Sequence, residues 1–181
     1  MTRLHVADFA HLDAVTLYAL LRLRVDVFVV EQGCPYPELD GRDIEPGTRH
    51  LWLADEAGVP VAYLRVLDDG DRARIGRVCV ARAARGRGHA QRLVRAALEL
   101  IGARPCDLDA QSHLTGFYAR FGFVASGPEF VEDGIPHVPM TRPAVVTEPR
   151  DGDPAGVDGP AAGPPVTAGS PPGPPPAGAA R

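Results

Sequence analysis

The segment Arg85-Gly86-Arg87-Gly88-His89-Ala90 is where residue types and spacing most directly imply chemistry. Its glycines let the backbone approach a ligand closely. The helix expected after it begins with unpaired N–H groups at the positive end of its dipole. Together these make an anion site, to which flanking guanidiniums add charge-assisted contacts suited to phosphate. Two phosphate motifs are excluded on named residues. A dinucleotide fingerprint, G-x-G-x-x-G, needs glycine where Gln91 stands, and a P-loop needs a lysine, which this chain lacks entirely.

Charge elsewhere is unevenly placed. Eight arginines and no acid lie between Arg72 and Arg95, whereas Asp26 to Glu56 holds eight acids against Arg42 and Arg49. The whole chain of 181 residues nets only −4, which argues against a general nucleic-acid coat. No apolar run approaches the roughly 18–20 residues that span a bilayer. The start, MTRLHVADFA, has no apolar signal stretch, so the expected location is cytoplasmic, with no membrane partner. Cys34, Cys79 and Cys106 have no C-x-x-C spacing and suit reduced thiols, with no metal site implied.

The elements that must position these residues follow from periodicity. Leu12, Val15, Leu17, Leu20, Leu21, Leu23 and Phe28 recur at helical spacing. Runs 50–53 and 61–67 flank the turn-like 55–60 and predict a hairpin, and 75–80 is a further β-branched run. A strong helix follows the glycine-rich turn, with Ala90, Leu93, Val94, Ala97, Leu98 and Ile101 on one face and Gly102 just past its end. A short strand at 106–110, a helix capped by Ser112 and ending near Phe121, and strands at 123–125 and 135–140 joined through Glu132-Asp133-Gly134 complete the body. This order predicts an α+β fold, a mixed sheet with helices on its faces.

The body is expected to span residues 1–142. From Pro143 to Arg181, 39 residues hold 11 Pro and 7 Gly and no aromatic. Such a segment cannot bury enough apolar area to offset ordering entropy of about 1–2 kcal/mol per residue, so 143–181 reads as a disordered, Pro/Gly/Ala-rich tail. Its run Pro171-Pro172-Gly173-Pro174-Pro175-Pro176 has the composition of a ligand for a proline-binding module, against the simpler reading of a tolerated terminus.

With these residues in view, the sequence resembles the GNAT superfamily of acetyl-CoA-dependent N-acetyltransferases. The family signature [QR]-x-x-G-x-[GA] after its fourth strand is matched by Arg85-Gly86-Arg87-Gly88-His89-Ala90, and a later aromatic element by Phe117-Tyr118-Ala119-Arg120-Phe121-Gly122-Phe123. The body looks closest to the ElaA-type branch. That likeness is carried by Phe28-Val29-Val30-Glu31-Gln32, Cys34-Pro35-Tyr36, Asp40-Gly41, Ala110-Gln111, His113-Leu114 and Glu132-Asp133-Gly134-Ile135-Pro136-His137, and it spans roughly residues 4–142.

The resemblance implies acetyl-CoA as co-substrate and an amine, small or peptidic, as acceptor. Val78, Cys79 and Val80 would pair their backbone with the pantetheine arm, and the amides from Arg85 to Ala90 would hold the pyrophosphate. Arg85 and Arg87 would contact the cofactor's phosphates. Tyr118 would protonate the departing thiolate, a role a phenol with pKa near 10 can serve at neutral pH. For the general base, Glu31 comes first, then His50 and His137. Asp40 and Asp43, in the acidic segment on the acceptor side, would attract a protonated amine. Gln111 stands where many relatives carry Asn. Cys34 has no base at a diagnostic spacing, and direct transfer needs no acyl-cysteine. Two other classes compete: a GNAT-fold module that senses acyl-CoA without turnover, and a DNA-binding protein using the arginine band, whose affinity would fall steeply with salt. Many relatives are dimers, and the sequence leaves the oligomeric state open.

Overall fold

Alternating apolar residues build the centre of the sheet in the computed structural model, which describes residues 1–145. Strand β1 (Arg3–Ala7) lies antiparallel on β2 (Arg49–Ala54), which turns at Asp55 into β3 (Pro60–Asp69) and then β4 (Arg72–Val80). The Asp55 carboxylate closes the expected hairpin turn by accepting from the N–H groups of Ala57 and Val59 at 3.0 and 2.9 Å. Strands β5 (Cys106–Gln111), β6 (Val124–Ala125), β7 (Phe130–Glu132) and β8 (Ile135–Arg142) follow. The sheet order is β1-β2-β3-β4-β5-β8-β6, with β7 also on β8. This is the mixed α+β architecture expected from the element order.

Helices cover both faces. Asp13 caps α1 (Ala14–Arg24) by accepting from Val15 and Thr16, both at 2.9 Å. The helix then widens into a π-helical stretch over Val25–Glu31, whose Val27 carbonyl takes the Gln32 N–H at 3.2 Å. The α1 side of the sheet buries Leu20, Leu23, Val27, Trp52, Ala54, Tyr63 and Cys79. The opposite side packs α2 (His89–Ile101) through Leu93, Val94, Ala97 and Ile101 on Leu51, Leu53, Ala62, Leu64 and Val66. Odd and even positions of β2 thus serve different helices, as the two-residue period of a strand dictates.

Several elements differ from expectation. β1 was not anticipated; it is an edge strand whose His5 stacks on Trp52 at 4.9 Å. The expected helix from Ser112 to Phe121 is a 3-10 turn, Ser112–Leu114, followed by the short α3 (Thr115–Ala119). Ser112 does not cap it: its hydroxyl donates to Glu129 at 2.6 Å. Asp133 and Gly134, both at positive φ (51° and 79°), form a two-residue turn between β7 and β8, one strand later than expected. β8 ends at Arg142, yet Val145 N–H still donates to Ala103 O at 3.0 Å. The expected tail lies outside the described residues from 146 onward. Among the described residues, no helix is long and apolar enough to cross a membrane.

Candidate active site

The site begins where two strands part. β4 and β5 are parallel but pair only at Ala73 with Cys106 and Arg74 with Asp107. Beyond Arg74 they diverge, and a cleft of about 730 Å³ opens between them. Gly76 lines it, and a side chain there would meet nothing within 4 Å. At the same level β4 carries a bulge: Arg65 faces Gly76 while Tyr63 faces Cys79, leaving one extra residue on β4. Arg77, within this bulge, has φ of 54°, a left-handed conformation costing a non-glycine residue roughly 1–2 kcal/mol.

The bulge decides which backbone groups are open. Ala81 N–H donates to Val61 O at 2.9 Å. In an antiparallel ladder the pairs alternate, so the Cys79 backbone turns toward β3 and the Val80 N–H and C=O turn toward the cleft. Arg85 Nε donates to that Val80 carbonyl at 3.1 Å. The Cys79 side chain is buried under α1, and burial pushes its thiol up to about 12.

At one end the cleft runs into the glycine-rich turn. Gly86 and Gly88 both have φ of 75°, a conformation that explains glycine at each. Neither would place a Cβ within 4 Å of another atom, so the requirement is conformational rather than steric. The first internal helix bond is Arg92 N–H to Gly88 O at 3.0 Å. Among the described residues, the N–H groups from Gly86 through Gln91 donate to no protein acceptor. A row of such donors at a helix start is matched to a diphosphate, and this is the observation by which a CoA-type ligand fits the chain. His89, the first helical residue, is pushed toward its neutral form by burial and by Arg87 and Arg92.

The opposite end rests on a buried ionic cluster. Arg24, 1% exposed, donates to Glu38 at 2.5 Å and to Asp43 at 2.7 Å. Arg65, 2% exposed, donates to both Asp40 oxygens at 2.8 and 2.6 Å and to Asp43 at 3.0 Å. Arg77 Nε lies 2.8 Å from Glu38 as an ion pair without hydrogen-bond alignment, and its Nη2 reaches Asp40 at 3.3 Å. Tyr36 OH also donates to Glu38. Burial opposes ionisation of Asp40 and Asp43, but hydrogen bonds from Arg65 and Arg24 outweigh it and hold both carboxyls below the usual range. His50, 1% exposed, has Nδ1 at 2.7 Å from Tyr63 OH and Nε2 at 3.0 Å from Asp43 O. Burial lowers its pKa.

The far wall comes from α3 and the β7–β8 hairpin. Tyr118 lines the cleft at 6% exposure, edge-on to Phe117 and Phe123 at 5.0 and 6.1 Å. Burial alone pushes its phenol up to about 12, so it keeps its proton at neutral pH. Its hydroxyl makes no hydrogen bond among the described residues. His113, Glu132, Asp133 and His137 share this wall, and Gln111 reaches across it to Gln32 at 3.4 Å.

The sequence-expected residues therefore fall into groups. Val78, Cys79, Val80 and Arg85 line the cleft, and Gly86, Arg87, Gly88, His89 and Ala90 continue from it as the turn that opens α2. Tyr118 and Glu31 line it from opposite sides, but Glu31 is gripped by Arg85 at 2.6 and 2.9 Å. The hydrogen bond from Arg85 holds the Glu31 carboxyl below its ordinary value, which weakens it as a proton acceptor. Asp40 and His137 line the cleft, whereas Asp43 and His50 do not, because both are buried in the ionic cluster. Arg77 and Arg65, which the sequence did not single out, face the cleft as partners of the acidic segment. No local signal marks them, since their partners are distant in the chain.

Residues 27–143 match the family model described as an acetyltransferase (GNAT) domain. The chain is 57% identical over 136 residues to a UPF0039 protein of Mycobacterium tuberculosis, covering 73% of this chain and 87% of that one. It is 43% identical over 145 residues to the protein ElaA of Escherichia coli, covering 75% and 93%. The crystal structure of E. coli ElaA superposes with a TM-score of 0.74, covering 78% of this chain and 99% of that one. An acyl-CoA N-acyltransferase from Pseudomonas aeruginosa superposes with a TM-score of 0.73 at 43% identity, with the same coverage.

Proposed function

This chain belongs to the GNAT acetyltransferase family, in its ElaA-type branch, and on that premise we propose that its cleft moves an acetyl group directly from acetyl-CoA to a primary amine of a small molecule or peptide. The single observation that carries the reading is the row of N–H groups from Gly86 to Gln91, without protein acceptors among the described residues, at the mouth of a cleft opened by diverging strands. These amides and Arg87 would hold the diphosphate of acetyl-CoA, and the backbone of Val78 and Val80 its amide-bearing arm. The co-substrate supplies a thioester carbon open to attack by an amine.

Tyr118 holds a proton at neutral pH beside that path and would give it to the departing sulfur. Glu31 acts through Arg85, fixing the guanidinium against the Val80 carbonyl at the meeting of turn and cleft. On the acceptor side, Asp40 is already balanced by Arg65 and Arg77. Glu132 and Asp133, on the exposed hairpin turn, line the cleft with no ion-pair partner among the described residues, and a protonated amine would meet its counter-charge there.

Calorimetry with acetyl-CoA, followed by thiol release over a panel of primary amines, tests this reading. Binding and release are expected, with Tyr118→Phe lowering turnover about 10²-fold at nearly unchanged acetyl-CoA affinity. Binding without release for every amine would instead mark a non-catalytic acyl-CoA sensor, and unchanged turnover in Tyr118→Phe would remove that residue from the acid role.

A further inference from the structure

The proton-accepting groups that line the cleft differ in what their lone pairs already do. Glu31 is held by Arg85, Asp109 accepts from Arg74 at 2.8 Å, and Asp40 accepts from Arg65. Glu132 and Asp133 are exposed carboxylates whose side chains accept no hydrogen bond among the described residues, so nothing orients them. His113 has no hydrogen bond to its ring among the described residues, so nothing orients it.

His137 is different on each count. Its Nδ1 lies 2.9 Å from the Ile135 carbonyl. A carbonyl only accepts, so in the neutral ring the proton sits on Nδ1 and the lone pair on Nε2. The Phe130 ring, on the strand residue paired with His137, stacks on the imidazole at 5.8 Å with planes 27° apart. On its other side His137 pairs with Gln111 of β5, so a half-buried ring of fixed orientation and tautomer sits in the cleft wall beside the acidic turn. We infer that His137 Nε2 is the base that takes a proton from the incoming ammonium group. This rests on the acetyl-transfer reading above.

The protons balance as follows. His137 Nε2 accepts one proton, leaving a free amine. The amine nitrogen bonds to the acetyl carbon as the carbon–sulfur bond breaks. Tyr118 gives its proton to sulfur, and the nitrogen's surplus proton passes to the Tyr118 phenolate. His137 returns its proton to solvent. Ammonium and acetyl thioester thus become amide, thiol and one released proton.

The test compares ethylamine, which arrives protonated at neutral pH, with 2,2,2-trifluoroethylamine, which arrives neutral. With acetyl-CoA, His137→Ala should slow turnover of ethylamine about 10²-fold and of the fluorinated amine no more than about twofold. Added imidazole should restore part of the ethylamine rate. A purely structural role would slow both amines alike, and equal slowing or no slowing overturns the inference. Acetyl-CoA affinity and melting temperature of the variant guard against misfolding, with His137→Gln as the second variant. Independently of turnover, nitrogen NMR of the resting protein should show the His137 ring protonated at Nδ1, and a ring protonated at Nε2 would overturn it. Wild-type protein releasing no thiol with either amine, or with any of the wider panel, counts against the acetyl-transfer reading itself, and the inference falls with it.

Discussion

The two ends of the cleft solve the problem of placing charge in opposite ways. At the proposed cofactor end the positive potential comes from the main chain, through a row of N–H groups displayed by glycines at φ of 75°. At the proposed acceptor end charge is a matter of side chains: three arginines (Arg24, Arg65, Arg77) and three acids (Glu38, Asp40, Asp43) neutralise each other beneath the surface. The arginine band of the sequence divides along the same line. Arg72, Arg74, Arg77 and Arg85 pair with carboxylates of the protein, while Arg87 at the turn has no ion-pair partner among the described residues. A backbone turn is local and can be read from the chain, whereas a charged side chain takes its meaning from a partner far along it: Arg77 and Glu38 are 39 residues apart.

If the acceptor end is a structural device, Arg24→Met should produce the largest effect, because it removes the buried guanidinium that Glu38 and Asp43 share and leaves three acids facing two arginines. A loss of about 3–5 kcal/mol is expected, read from the denaturant midpoint at unchanged slope. A loss under about 1 kcal/mol would mean that the cluster behaves like a surface ion pair and would erase the contrast. At the cofactor end no charge need be touched. Gly88→Val imposes a β-branched residue on a left-handed position and should weaken acetyl-CoA binding about tenfold by calorimetry, with the ionic cluster unaffected. Unchanged affinity would show that the N–H row is not what holds the ligand.

The smallest effect is a pH dependence confined to the acceptor end. His50 is held neutral by burial, so its pKa in the folded state lies below the ordinary 6.5. The unfolded chain then binds the proton first, and stability falls as pH drops through and below that value. Asp40 and Asp43, whose folded-state pKa values lie below the ordinary 3.8, add a second loss on further acidification. Chemical denaturation across this range should show both steps, with His50→Gln removing only the first. A profile flat between neutral pH and about 5 would contradict the buried placement of His50.

Much of the architecture was legible in the chain because it rests on short-range physics. The hairpin of β2 and β3, the amphipathic α2 with Gly102 behind it, and the Arg85–Ala90 turn depend on periods of 2 and 3.6 and on the freedom of glycine. Where neighbours in space override neighbours in sequence, reading stopped short. β1 is too short to declare itself without β2, and Ser112 gives its hydroxyl to Glu129 instead of a helix end. The acidic segment looked like a lure for a cation until Arg24, Arg65 and Arg77 closed on it. Residue types and spacing alone thus determined most of the sheet-and-helix order and the glycine-rich turn that opens α2, because each is built from contiguous backbone. Only the tertiary structure decided which carboxylates and imidazoles keep a lone pair for chemistry, because that depends on which partner each has already found.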